Sequence, residues 1–431
     1  MADRVLIRGA RLVDPAGGRD EAGDVLVADG VIAGVGGGLS DAGATVIDAS
    51  GLIVAPGFVD LHTHLREPGG EDRETVASGT RAAAAGGFTA VSAMANTDPV
   101  ADNAAVIQEV LALGAEAGFC DVHPVGAITV GLEGQRITEM GEMAALGVRM
   151  FSDDGHCVPS SRVMRMAMEY SRAFGVVLAQ HAQDEDLTEG WQMHEGPTAS
   201  LLGLAGAPAE AEEIIVARDL LLARLTGAQV HFCHLSSAGS VDLIRDAKDR
   251  GLRVTAEVTP HHLTFTDEEL AGYDTNLKVN PPMRSSADRD ALIQALADGT
   301  IDVVATDHAP HAAQDKDKEF DQAPPGMIGL ETALGAVLDL VHQGRLDLTR
   351  AVEALSTTPA RILGLEDQGG PLVEGTAANL VAFDPDAEWV VAAPFVSRSA
   401  NSPFIDRTLK GRVVHTIYRG RATVLDGVPQ W

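Results

Sequence analysis

The pattern richest in chemistry is His62-Thr63-His64, which closes an apolar run in PGFVDLHTHLREPG. Residues two apart on an extended strand point to the same side, so both imidazoles can reach one metal ion. The pair has company. His181, His234 and Asp307 each close an apolar run of their own, in GVVLAQHAQ, AQVHFCHLSS and IDVVATDHAPH. Four imidazoles and a carboxylate brought to one place suit zinc or a similar divalent ion. A second ion is expected because GVRMFSDDG adds the carboxylates of Asp153 and Asp154, one of which can bridge. Two ions about 3.5–4 Å apart hold a hydroxide ready at neutral pH. Asp154 is favoured as the ligand, its neighbour being read as a turn or cap residue before Gly155. The lysines are Lys248, Lys278, Lys316, Lys318 and Lys410, and none belongs to that run, so a carbamylated lysine bridge is excluded there.

Asp307 offers more than coordination. A carboxylate beside an activated water can take its proton during attack and return it to a leaving nitrogen, which is the acid–base work of amide hydrolysis. For holding a substrate the candidates are Arg66 in HLREPG, Asn96 in AMANTDP, Asn280 in KVNPPMR and His311 in TDHAPH. An arginine fork matches a carboxylate, although Arg66 could instead form a surface ion pair with Glu67. His308, His261 and His262 read as residues that orient loops, and the remaining histidines as surface or structural groups. PPGMIGLET (324–332) could wall the pocket, with Gly326 letting backbone approach a ligand closely. QDKDKEF (314–320) reads as a solvated loop.

These residues need a scaffold that collects strand ends. Between 57 and 364, β-branched apolar runs alternate with Ala/Leu-rich amphipathic stretches, the mark of βα units and a parallel sheet. Eight runs are counted, each apolar in its first half and polar at its end. A (β/α)8 TIM-type barrel explains both halves, because its strands are buried on both faces and its site forms at their C-terminal ends. Residues 1–56 and 365–431 read differently, as short strands broken by Gly, Pro and Asp. They are expected to form one small β-sandwich from both termini around the catalytic barrel. The methionines Met164, Met166 and Met168 read as ordinary helix filling.

Composition bounds the partners. The chain has 431 residues with 32 Lys plus Arg against 62 Asp plus Glu, a formal net charge of −30. An acidic surface without a Lys/Arg block argues against nucleic acid and anionic membranes, leaving a small-molecule substrate. Cys120, Cys157 and Cys233 show no CxxC spacing, so no disulfide framework or Cys-based zinc site is expected, and the compartment reads as cytoplasmic. The start MADRVLIRGARLVD lacks a signal-peptide core, and no run of 18 apolar residues follows, so a soluble, unprocessed protein is expected.

Taken in order, PGFVDLHTHLREPG, GGFTAVSAMANTDP, FSDDG, KVNPPMR, ATDHAPH, PPGMIGLET and GPLVEGTAANLVAFDP resemble the amidohydrolase superfamily, and within it the long type I bacterial dihydroorotases. The resemblance spans essentially the whole chain. It implies a metal-dependent barrel that interconverts L-dihydroorotate and N-carbamoyl-L-aspartate in pyrimidine synthesis, with two zinc ions per subunit. It also implies that His62, His64, Asp154, His181, His234 and Asp307 bind metal, that Asp307 shuttles the proton, and that Arg66, Asn96 and His311 bind substrate, with Asn280 in the matching loop. Homo-oligomers, a dimer first, and association with aspartate carbamoyltransferase are further implications. Departures are Ala95 where the family usually has Pro, Gln183 where an acidic residue is common, and Asn379 where Asp is usual. A hydantoinase or dihydropyrimidinase is the nearest rival, but that group typically uses a strand-4 lysine. A non-catalytic scaffold for a transcarbamoylase would be expected to have lost metal ligands, and all six are present.

Overall fold

The structure is a computed structural model that describes residues 4–431. The alternating runs at the start of the chain form β1 (Val5–Asp14), β2 (Arg19–Ala28), β3 (Val31–Gly36), β4 (Thr45–Asp48) and β5 (Ile53–Pro56). Asp29 and Gly30 join β2 to β3 with φ of 53° and 82°, the left-handed pair that a tight hairpin requires.

The eight apolar runs of the middle region become β6 (Phe58–Thr63), β7 (Phe88–Ala93), β8 (Asp121–Pro124), β9 (Met150–Ser152) and β10 (Val177–Gln180), and then, after a two-stranded ribbon of β11 (Met193–His194) and β12 (Gly206–Ala207), β13 (Val230–Phe232), β14 (Val254–Val258) and β15 (Val303–Val304). β6, β7 and β8 pair in parallel, as do β9, β10, β13, β14 and β15. Two seams complete the ring. Between β8 and β9, Ser152 N donates to Gly126 O at 2.8 Å. Between the last strand and the first, His64 N donates to His308 O at 2.9 Å, and Asp60 accepts from Thr306 N at 2.9 Å and from the hydroxyls of Thr63 and Thr306. Asp60 is fully buried, so its carboxylate is tolerated there only because these donors surround it. A closed parallel barrel explains why β6, β7 and β10 are buried along their whole length.

The helices between the strands begin where polar caps allow. Thr75, Asn103, Ser160, Ser237 and Ser285 each accept a backbone N–H of the first turn of the helix that follows, a contact worth about 1 kcal/mol at each helix. Gly87, at φ 88°, supplies the left-handed exit before β7; a Cβ there would also strike Val381 and Phe58. Helical residues 348–363 cap the opposite end of the barrel from the site: Ser356 Oγ donates to Gly57 O, at the start of β6, and Ile362 and Leu363 pack with Leu61, Met150 and Val303. Met164 and Met168 fill the core as expected, whereas Met166 faces solvent.

The last strands are β16 (Leu380–Val390), β17 (Thr408–Tyr418), β18 (Arg421–Leu425) and β19 (Val428–Pro429). They join the first five in one nine-stranded sheet through a ladder that sets Leu380–Phe383 antiparallel to Ile53–Pro56. Leu12, Val27, Val54, Leu380 and Ile417, from both ends of the chain, share one apolar core. Asn379 fixes the joint with the barrel. Its Nδ2 donates to Asp367 O at 2.7 Å while its Oδ1 accepts from Arg419 N at 2.7 Å, and its carbonyl accepts from Gly57 N. An ionised aspartate accepts only, so it could not make the first of these bonds.

Candidate metal centre and substrate pocket

All six candidate ligands lie at or just beyond the C-terminal ends of barrel strands. His62 is in β6 and His64 follows it, Asp154 follows β9, His181 follows β10, His234 follows β13 and Asp307 follows β15. All are buried. The chain turns sharply to place two of them, since His234 and Asp307 take φ of 30° and 45°.

Asp154 lies at the centre of the cluster. Its Oδ2 is 3.3 Å from His62 Nε2 and 3.4 Å from His64 Nε2, while its Oδ1 is 3.4 Å from His181 Nδ1 and 3.2 Å from His234 Nε2. Asp307 Oδ1 closes the first group, 3.1 Å from His64 Nε2 and 3.6 Å from His62 Nε2. One carboxylate thus faces two sets of nitrogen donors, one oxygen to each. Asp153 turns away: it accepts from Thr129 N at 2.8 Å and from the Thr129 hydroxyl, and burial pushes its carboxyl up to about 6.

The outer nitrogens of three histidines are held by acceptors, which fixes the tautomers. The Glu257 carboxylate can only accept, so His62 donates through Nδ1, at 2.7 Å, and turns Nε2 inward. His64 Nδ1 is paired in the same way with Asn96 Oδ1 at 2.9 Å. His181 Nε2 meets Gln183 Oε1 at 2.9 Å, and the amide of Gln183 is itself set by donating to Thr188 Oγ1. The inward His62 Nε2 is buried without a hydrogen-bond partner. Burial opposes charge on this imidazole, yet Asp154, Glu257 and Asp307 outweigh it and hold His62 well above its ordinary range. The same rivalry favours ionised Asp307: burial opposes the charge, and His62 and His64 overcome it. An orphaned buried nitrogen, imidazole nitrogens turned inward and surplus carboxylates fit a cationic metal with imidazole and carboxylate ligands.

Over the cluster lies a pocket of about 220 Å³, lined by every predicted site residue except His62, which sits beneath its floor. Arg66 is not in an ion pair with Glu67. Its Nε donates to Pro310 O at 3.1 Å, anchoring the guanidinium at the pocket, while Glu67 caps the helix Val76–Ala85 by accepting from Val76 N. Burial lowers Arg66 only to about 10, so it stays cationic. Asn280 Nδ2 lies 3.3 Å from His181 Nε2. His311 donates through Nε2 to Pro325 O at 2.9 Å, and burial together with Arg66 pushes it down to about 3, so it contributes a neutral imidazole. His308 orients its loop as expected, with Nδ1 accepting from Gly329 N and Nε2 against Glu74.

Four features of the site lie outside the expectations. Glu257, mid-strand in β14, also accepts from His234 N at 3.1 Å and from His231 Nε2 at 3.0 Å, so His231 supports the site rather than merely filling space. Its signal was a carboxylate inside an otherwise apolar buried run. Cys233 has its sulfur within 4.8 Å of ligand atoms of His62 and Asp154, and burial pushes this thiol up to about 12. The 314–320 stretch is not simply solvated. Lys316 is buried and its ammonium donates to Pro324 O and Gly326 O, both at 2.9 Å, so it holds the pocket wall. Gly326, at φ 133°, is pressed against His311 rather than reserved for a ligand: a Cβ there would sit 2.8 Å from His311 Nε2.

The family model described as dihydro-orotase-like matches residues 51–240. A dihydroorotase of Leifsonia xyli is 55% identical over 426 residues, covering 98% of this chain and 96% of that one. One of Streptomyces coelicolor is 54% identical, covering 98% and 99%. Among solved structures, an L-hydantoinase (dihydropyrimidinase) from Arthrobacter aurescens matches with a TM-score of 0.90 at 28% identity, covering 100% of this chain and 98% of that one. A D-hydantoinase (dihydropyrimidinase) from Thermus sp. matches with a TM-score of 0.83 at 25% identity, covering 99% and 96%. The barrel with its attached β-rich domain is therefore shared with both groups, while the close sequence relatives carry one name. Among the described residues, no helix is long and apolar enough to cross a membrane.

Proposed function

The chain belongs to the dihydroorotase family and is a cyclic amidohydrolase; on that premise we propose that it interconverts L-dihydroorotate and N-carbamoyl-L-aspartate at two metal positions, zinc first among the candidate ions. The observation that carries the two-metal reading is Asp154, whose oxygens face His62 and His64 on one side and His181 and His234 on the other. Bound divalent ions would supply Lewis-acid polarisation of the scissile carbonyl and acidify a water molecule.

The side chains supply the rest. Arg66, with Asn96, Asn280 and His311 around the same pocket, clamps the substrate carboxylate and fixes the ring over the cluster. Because His311 is neutral and its Nε2 proton goes to Pro325 O, the cationic part of the clamp is Arg66, and His311 can only accept a hydrogen bond from the substrate. Asp307 takes the proton of the attacking water and hands it to the ring nitrogen as the amide bond breaks; in the biosynthetic direction the same transfers run backwards. A dihydropyrimidine without the carboxylate leaves Arg66 unmatched, which disfavours the hydantoinase reading despite the shared fold. The buried free thiols Cys120, Cys157 and Cys233 suit a reducing cytoplasm. We further propose a homodimer as the working form, with aspartate carbamoyltransferase as a candidate partner.

The test is a comparison of dihydroorotate with dihydrouracil and hydantoin, before and after chelation and zinc readdition. Turnover of dihydroorotate alone, lost on chelation and regained with zinc, is expected. Comparable hydrolysis of dihydrouracil would overturn the substrate assignment, and activity indifferent to chelation would overturn the metal reading.

A further inference from the structure

The helix Glu210–Thr226 carries a feature that its place in the barrel does not require. Its inner face packs in the core through Ile215, Val216, Leu220 and Ala223. Its outer face should then be polar. Instead Ile214, Leu221 and Leu225 are 49%, 55% and 62% exposed. With a turn of 3.6 residues these three fall within a narrow stripe along one side of a helix about 25 Å long. An apolar groove of about 180 Å³ runs beside them, walled by Leu220, Leu221, Leu243 and Leu252.

We propose that this stripe is where a second copy of the chain docks, its own Glu210–Thr226 helix lying antiparallel across the first; this gives the homodimer proposed above a specific surface. The argument for a second copy is charge. The first turn carries Glu210, Glu212 and Glu213, and the last turn carries Arg224. A two-fold axis through the middle of the helix lays Ile214 of one copy against Leu221 and Leu225 of the other. Such an axis keeps each flank of the stripe on its own side, so Arg224 of each copy meets Glu210 and Glu213 of its mate. The antiparallel arrangement also opposes the helix dipoles favourably. Self-association of a chain with a net charge of −30 needs a face where repulsion is suspended. This face lessens it, because Arg224 stands against Glu210 and Glu213, while Arg218 is paired with Asp219 and the nearby Arg250 with Asp246.

The experiment is sedimentation equilibrium of the full-length, metal-loaded protein and three variants, with circular dichroism and turnover as checks on folding. Leu221→Asp with Leu225→Asp should raise the dimer dissociation constant at least about 100-fold while leaving kcat and helix content unchanged. Should that variant misfold, the charge series decides. Arg224→Glu alone should weaken the dimer about 10-fold, and Arg224→Glu with Glu210→Arg should restore it, because a two-fold interface reverses both pairs together. A dimer untouched by all three variants would overturn this surface and leave the homodimer standing. A wild-type monomer at all concentrations would overturn both. Capture of this face by aspartate carbamoyltransferase in place of a second copy would overturn the choice of occupant.

Discussion

Glu257 is the residue whose substitution tests the architecture of the site most sharply. Three donors converge on it: His62 Nδ1 and His234 N on Oε1, and His231 Nε2 on Oε2. Glu257→Gln keeps the shape and one carbonyl oxygen, so His62 and His234 retain an acceptor. The new amide N–H₂ faces His231 Nε2, which can accept once its proton moves to Nδ1, because the Thr255 hydroxyl on that side can accept in turn. Only the charge is lost. A charge-assisted hydrogen bond is about twice as strong as a neutral one, which puts the loss at His62 at about 1–2 kcal/mol. That corresponds to roughly 5–30-fold in metal affinity, within the range that such outer partners usually command. Glu257→Ala removes the acceptor as well and leaves buried donors unpaired, at a further cost of about 1–3 kcal/mol each, expressed as lost stability. Competition for zinc with a chromophoric chelator measures the first effect and thermal unfolding of the metal-free protein the second. If Glu257→Gln binds zinc as tightly as the parent, the orienting role assigned to this carboxylate is wrong. The same holds if the Ala and Gln variants behave alike in both assays.

Asp154→Asn should abolish binding of at least one equivalent of metal, whereas Asp153→Asn, which can still accept from Thr129 N, should keep both; metal analysis of the two purified variants reads this directly. Asp307→Ala should remove turnover by at least about 1000-fold with substrate still bound, while Arg66→Ala should chiefly raise KM for dihydroorotate; steady-state kinetics separate the two, and an unchanged KM in the second variant would refute the clamp. Gly326→Ala should displace His311 and raise KM, because the added methyl falls within 3 Å of its ring at a left-handed φ. A crystal structure of that variant with His311 unmoved would contradict the reasoning.

Much of the site was legible because strand-end residues announce themselves: a histidine or aspartate closing an apolar run has few other reasons to be there. Spacing alone also put His62 and His64 on one side of one strand. What stayed hidden depended on neighbours far apart in sequence. Glu257 is 195 residues from the histidine it orients, and its own strand gives no hint of which partner it meets. Asn96 was expected only against substrate, yet its carbonyl is spent on His64. Lys316 looked like one charge among several in a polar run, and only the fold reveals that two carbonyls of the pocket wall surround its ammonium. Sequence names His311 only as a candidate for holding substrate. Its neutrality follows from burial beside Arg66, which composition cannot show.

The ladder that pairs Ile53–Pro56 with Leu380–Phe383 also has a temporal meaning. The strand bearing His62 begins two residues after that ladder, so its anchor is incomplete until the chain has been made almost to its end. At ordinary synthesis rates of about 5–20 residues per second, that leaves His62 and His64 without their final support for roughly 15–65 s. The histidine cluster is therefore fully supported only once nearly the whole chain has been made.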